Sequence, residues 1–84
     1  MIQKNSVEWS VLIDNLCDAK EHLESLTKDM LNGPEFFEKD FEIQLGHIYA
    51  HLNRAWNSRN MAEGVSFEKW DFISQFPNDI KPVG

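Results

Sequence analysis

Apolar residues recur at intervals of three and four along residues 9–30, and this pattern constrains the fold more than any other feature of the chain. Such spacing places side chains on one face of an α-helix. Asn5 or Ser6 can cap the start of this helix, and Asn5 with Glu8 resembles a capping box. The recurring apolar residues are Trp9, Leu12, Ile13, Leu16, Ala19, Leu23, Leu26 and Met30.

A second helix is predicted after a break at Asn32-Gly33-Pro34. Glycine can adopt the left-handed conformation that ends a helix, and proline suits the first turn of the next one, which we expect to run to about Asn60. A further apolar set lies on the other side of this helix: Phe36, Ile43, Gly46 and Ala50. A helix with two apolar faces is usually covered on both, so we predict a homodimer formed through helix 2. The main apolar stripe is Phe37, Phe41, Leu45, Ile48, Leu52, Ala55 and Trp56.

A short third helix is predicted from Phe67 to about Gln75, capped by Ser66 after a loop at residues 61–65. Phe67, Trp70 and Ile73 would face inward. Trp70, Phe72 and Phe76 are candidates for a partner surface wherever they are exposed.

The predicted fold class is therefore all-α. It consists of an antiparallel two-helix hairpin plus a short third helix, assembling as a helical bundle dimer. Residues 1–76 form one helical domain. The non-helical tail, residues 77–84, is a docking strap or a frayed end.

The charge of the chain excludes several classes of function. The 84 residues carry a formal net charge of -6 and a single cysteine, Cys17. Residues 1–45 hold 10 acidic and 4 basic side chains, and the remainder hold 4 of each. Binding to nucleic acid or to an anionic membrane is disfavoured because both need a basic surface. The lone cysteine and the lack of a signal-like or membrane-spanning stretch favour the cytoplasm.

His47 and His51 are spaced four residues apart, so both rings project from one helix face and could chelate a divalent metal. A third ligand could be His22 or a carboxylate from helix 1. The alternative interpretation is a pair of exposed or capping histidines. No catalytic motif is present, so we expect neither an enzyme nor a bound cofactor.

Asparagine is a poor residue for a helix interior, and Asn53 and Asn57 lie one turn apart in helix 2. Their amides should hydrogen-bond across a helix contact, to the 61–65 loop, or to a ligand. Arg54 follows the two histidines on nearly the same face, where its charge disfavours a bound cation. Arg59 could pair with an acid of helix 1 or with the carbonyl groups at the end of its own helix.

The function predicted from these patterns is a protein–protein interaction or regulatory module that self-associates through helix 2. The acidic face of helix 1, formed by Asp14, Asp18 and Glu21, would meet a basic partner protein or simply provide solubility. One alternative is a small-ligand or metal-binding protein that uses the His47/His51 face. A further alternative is an acidic mimic of nucleic acid.

Overall fold

The structure is a computed structural model that describes residues 6–33, 35–61 and 66–84, with side chains from residue 9 onward in the first helix. These residues form helices and no strands, which confirms the all-α prediction. A 3-10 turn, Phe67–Lys69, leads directly into the last α-helix. The α-helices are α1 (Ser6–Asn32), α2 (Glu38–Asn57) and α3 (Trp70–Ile73).

The bounds of α1 agree with the predicted bounds, but its C-terminal glycine has a different role. Gly33 donates its N–H to the Asp29 carbonyl at 2.9 Å, and its φ is not in the left-handed region. A Cβ atom added here would lie 2.8 Å from the Asp29 oxygen, so a close approach is what requires glycine. The predicted capping box of Asn5 and Glu8 lies outside the described residues.

The second helix is shorter than predicted because the chain stays extended before it. Phe37 is the N-cap residue, with φ -93° and ψ 150°. This extended entry brings Phe36 against the core between α1 and α2. At the other end α2 stops at Asn57, because the Arg59 N–H donates to the carbonyl three residues back, that of Trp56, at 3.3 Å, while the Ser58 hydroxyl donates to the Arg54 carbonyl. Pro34 lies outside the described residues.

The two long helices pack against each other and form the small core. Leu12, Ala19 and Leu26 contribute from α1, and Ile48 and Ala55 contribute from α2; all five are buried. Phe36 and Leu45 pack against the centre of this cluster. No helix in the described parts of the chain combines the length and apolar character needed to cross a bilayer.

The third helix differs from its prediction. Ser66 makes no side-chain capping bond, and the predicted continuous helix is a 3-10 turn followed by four α-helical residues. Phe67, predicted to face inward, is 93% exposed, whereas Ile73 is 1% exposed and packs under α2. The tail beyond residue 76 has no regular structure, but it docks through Asp79. Residues 62–65 of the predicted loop lie outside the described residues.

Candidate functional site

Two rows of apolar side chains run along α1, each with a strict seven-residue spacing. The first row is Leu12, Ala19 and Leu26, at 8%, 5% and 2% exposure. The second row is only half-covered: Trp9, Leu16, Leu23 and Met30 are 38–50% exposed. Two apolar rows separated by three and four residues form the seam of helical bundles and coiled coils. One row of this seam is covered within the chain and the other lies at the surface.

The second helix repeats the same arrangement. Ile48 and Ala55, seven residues apart, are buried against α1. Leu45 and Leu52 form the neighbouring row; Leu45 is half-buried and Leu52 is 40% exposed. Trp9 and Leu16 of α1 line one groove together with Leu52 of α2, so these parts of the two half-covered rows lie on the same side of the pair.

An apolar groove of about 290 Å³ opens between the two half-covered rows. Its walls are almost entirely apolar, and the one charged residue at its edge is Arg59. Sequence analysis missed this groove because a repeat of three and four does not distinguish a covered row from an uncovered one. The lining residues are Trp9, Leu12, Ile13, Leu16, Leu52, Ala55, Trp56 and Arg59.

The three histidines of the chain meet on another side of the α1–α2 pair. One ligand atom from each of His22, His47 and His51 lies within 4.8 Å of the others. The ring centroids are 4.1 Å apart for His22 and His47, and 5.1 and 5.2 Å apart for the two pairs that include His51. The structure thus brings the suggested third residue, His22 of α1, to the pair on α2.

His51 has the most polar contacts of the cluster, and its side chain is 13% exposed. Its Nδ1 atom lies 3.4 Å from Asn15 Oδ1, 3.9 Å from Asp18 Oδ2 and 3.3 Å from Arg54 Nη2. Burial, then the neighbouring Arg54 charge, lowers the pKa of His51, and only Asp18 opposes them. Both effects favour the neutral form of the ring, in which one nitrogen carries a lone pair.

Asn53 and Asn57 both serve to hold the end of α3. Asn53 Nδ2 donates to the Ser74 carbonyl at 2.9 Å. Asn57 Nδ2 donates to the carbonyls of Ile73 and Gln75 at 2.9 and 2.8 Å. The two amides thus donate to backbone carbonyl groups at the end of α3, which a four-residue helix would otherwise leave without hydrogen-bond partners.

Arg54 links the histidine cluster to α3. It is buried, donates from Nη1 to Ser74 Oγ at 3.0 Å, and lies 4.5 Å from the centre of the Trp70 ring. Burial lowers the pKa of Arg54, and the Asp18 carboxylate opposes that shift. Its buried Nε atom has no hydrogen-bond partner among the described residues.

The C-terminal tail is fastened by the end of α2. Trp56 Nε1 donates to Asp79 Oδ1 at 2.8 Å, and Arg59 Nη2 lies 3.4 Å from Asp79 Oδ2. Arg59 also stacks on the Trp56 ring and donates to the Trp56 carbonyl. Two roles were predicted for Arg59, and the contact with a carbonyl group at the end of its own helix is the one observed. Its acidic partner among the described residues is Asp79 of the tail rather than an acid of helix 1.

The remaining predicted interaction residues are dispersed. Phe36 belongs to the intrachain core, whereas Ile43 is 60% exposed and Ala50 is half-buried on the outer side of α2. Trp70 and Phe72 are 46% and 70% exposed. Asp14, Asp18 and Glu21 are exposed on α1, and only Asp18 approaches the histidines.

No protein-family model, curated protein or solved structure gave a match to this chain. The functional interpretation therefore depends on the groove, the histidine cluster and the anchoring contacts described above.

Proposed function

We propose that this protein is a self-associating helical interaction module, and that two copies pair through the apolar groove between α1 and α2. The observation that carries the proposal is the half-covered seven-residue row on each long helix. In a four-helix bundle each helix buries two adjacent apolar rows, and the second copy would supply the missing cover.

The surface area of the chain supports a partner of its own size. The chain exposes 6862 Å², whereas a folded monomer of 9.8 kDa is expected to expose about 5,200 Å². The excess of about 1,700 Å² is larger than the roughly 800 Å² that each partner covers in a standard interface. The Cα radius of gyration is 14.7 Å, against about 12 Å for a compact chain of this length.

An antiparallel hairpin is the building block of this proposed bundle. Asn15 and Asp18 contact His51, while His22 stacks on His47, so later positions in α1 meet earlier positions in α2. This order supports antiparallel helices, which present their half-covered rows on the same side.

The proposal moves the self-association surface away from the one predicted from sequence. Ile43 lies two residues before Leu45, which places it about 160° around α2 from the groove row. Phe36, from the same predicted set, packs within its own chain. Asp14 and Glu21 lie on α1 outside the apolar rows, so in the dimer they stay in water and available to a basic partner protein.

Sedimentation velocity over a concentration series tests the proposal, with Leu16→Glu as the disruptive variant. Leu16 is half exposed, so the dimer would lose about 1 kcal/mol of apolar burial per chain. A carboxylate placed in the contact would cost more. We expect dissociation to be favoured at least 100-fold, which corresponds to about 2.7 kcal/mol.

Ile43→Glu is the matched control, because it introduces the same charge on the outer side of α2. The wild type and Ile43→Glu should sediment at twice 9.8 kDa, and Leu16→Glu at 9.8 kDa with unchanged helical circular dichroism. A monomeric wild type at 100 μM would refute self-association. Dissociation by Ile43→Glu alone would place the contact on the surface first predicted from sequence.

A further inference from the structure

We propose that His22, His47 and His51 form a binding site for a divalent transition metal, with Zn²⁺ as the best match to its ligands. This site does not depend on self-association. His22 lies six residues after Leu16, which turns it about 120° around α1 from the groove row. A dimer formed through the groove would leave the histidines accessible.

The cluster has the donor set of a three-histidine zinc site. Imidazole nitrogens bind Zn²⁺ at 2.0–2.1 Å, and three protein ligands with an open fourth position are typical of zinc sites that bind water or a substrate. Ligand nitrogens in such a tetrahedron lie about 3.3 Å apart. The present atoms lie within 4.8 Å of one another, so each pair must close by at most about 1.5 Å.

The rings have freedom to make this movement. They now lie face to face, with interplanar angles of 9–30°, and coordination requires rotation of the rings until their nitrogens converge. His47 is exposed and His22 is half-buried, and neither ring has a hydrogen bond among the described contacts. Only His51 is held in place, and it would act as the fixed ligand around which the other two close.

The atoms around His51 indicate which of its nitrogens binds the metal. Asn15 Oδ1 and Asp18 Oδ2 both lie beside Nδ1, where they can accept a proton from the ring. A carboxylate or carbonyl oxygen that accepts from one ring nitrogen, leaving the other to the metal, is the usual outer contact of a metal-bound histidine. Nε2 of His51 is therefore the coordinating atom, and Asp18 is a positioning residue.

The contact between Arg54 and His51 should change when a metal binds, which distinguishes metal binding from a simple stack of histidines. Its Nη2 atom lies 3.3 Å from His51 Nδ1, so in the absence of metal Nδ1 can either accept from Arg54 or donate to Asn15. Metal binding at Nε2 puts the proton on Nδ1 and removes that acceptor. Arg54 keeps its bond to Ser74 Oγ, so the change should be local to the His51 ring.

Isothermal titration of untagged protein with ZnCl₂ tests the site. Cys17 is exposed beside Asp18 and could bind zinc through its thiolate, so all titrations use Cys17→Ser protein. We expect one Zn²⁺ per chain with micromolar or tighter affinity. His22→Asn and His47→Asn should each weaken binding at least 10-fold, and Asp18→Asn should weaken it 10- to 100-fold. Asp14→Asn, an exposed carboxylate one turn earlier, should bind like the parent.

Two further measurements separate the site from nonspecific binding and from misfolding. Long-range ¹H–¹⁵N spectra of the histidine rings should show a single His51 tautomer, with its proton on Nδ1, when Zn²⁺ is bound. Circular dichroism must confirm that His47→Asn is folded, as expected for an exposed residue. Two results would overturn the proposal: no binding by the parent at 100 μM zinc, or unchanged affinity in folded His22→Asn protein.

Discussion

Replacing Asn57 by alanine should release the end of α3, because one amide group holds two backbone carbonyls. The Asn57 Nδ2 atom donates to the Ile73 and Gln75 oxygens at 2.9 and 2.8 Å. Each hydrogen bond contributes about 1 kcal/mol, so their loss costs about 2 kcal/mol. The higher helix propensity of alanine offsets about 0.5 kcal/mol of this loss in the free energy of unfolding. We expect the free energy of unfolding to fall by about 1.5 kcal/mol, a large fraction of the stability of a small domain.

Urea unfolding at one fixed protein concentration, followed by circular dichroism, measures this change. The concentration is held constant because self-association would itself stabilise the folded chain. Asn60→Ala is the matched control, since Asn60 is an exposed residue in the turn after α2, and it should change stability by less than about 0.5 kcal/mol. Amide hydrogen exchange in α3 should also become faster in the Asn57→Ala variant. Exchange in α1 should remain slow and change less than exchange in α3.

An Asn57→Ala variant as stable as Asn60→Ala would refute the reasoning. Such a result would mean that water replaces the amide without cost, and that packing of Ile73 alone holds α3 in place. Asn57→Asp provides a second check. It keeps the shape of the side chain but points a carboxylate at two carbonyl oxygens, so it should destabilise at least as much as alanine.

Three other changes have equally definite expected results. Ile73→Ala, at the 1% exposed position, should lower the free energy of unfolding in urea by about 2–5 kcal/mol. Gly46→Ala should raise it by about 0.5–1 kcal/mol, because a Cβ atom there meets nothing within 4 Å in the middle of α2; a loss of stability would mean that this face is covered. The hydrogen bond from Trp56, together with the Arg59 charge, lowers the pKa of Asp79 in the folded chain. Its contribution is therefore full at neutral pH, starts to decline near the ordinary aspartate value of about 3.9, and is lost once the pH falls below the lowered pKa. Asp79→Asn should therefore be less stable than wild type at pH 7 and equal to it in strong acid; a difference that persists in acid would contradict the assignment.

The long helices could be predicted because their signals are local. The apolar repeat and the Asn32-Gly33-Pro34 break define α1 without reference to any other part of the chain. The start of α2 was harder to predict. Glu35 and Phe36 are compatible with a first helical turn, but this stretch is extended and Phe36 packs against the core cluster formed by both long helices.

The sites depended on contacts between distant parts of the chain, which the sequence indicates only in part. The spacing of His47 and His51 was visible, and His22 was one of several possible third ligands. The amides of Asn53 and Asn57 were expected to be used, but their partners lie 16–21 residues away in a segment with almost no helical pattern of its own. The exposure of Phe67 was mispredicted for the same reason, since a seven-residue segment offers too few turns to define a buried face.

The strict seven-residue spacing of the rows in α1 has a geometric consequence. An ideal α-helix has 3.6 residues per turn, so a row of every seventh residue drifts by about 20° per heptad around a straight rod. Leu12, Ala19 and Leu26 are all buried against α2, so we expect the two helices to wind around each other with a left-handed supercoil. Inserting seven residues into each helix would then lengthen the bundle without disturbing it. A single inserted residue would turn every later row by about 100°, which would expose the core and bury charged side chains.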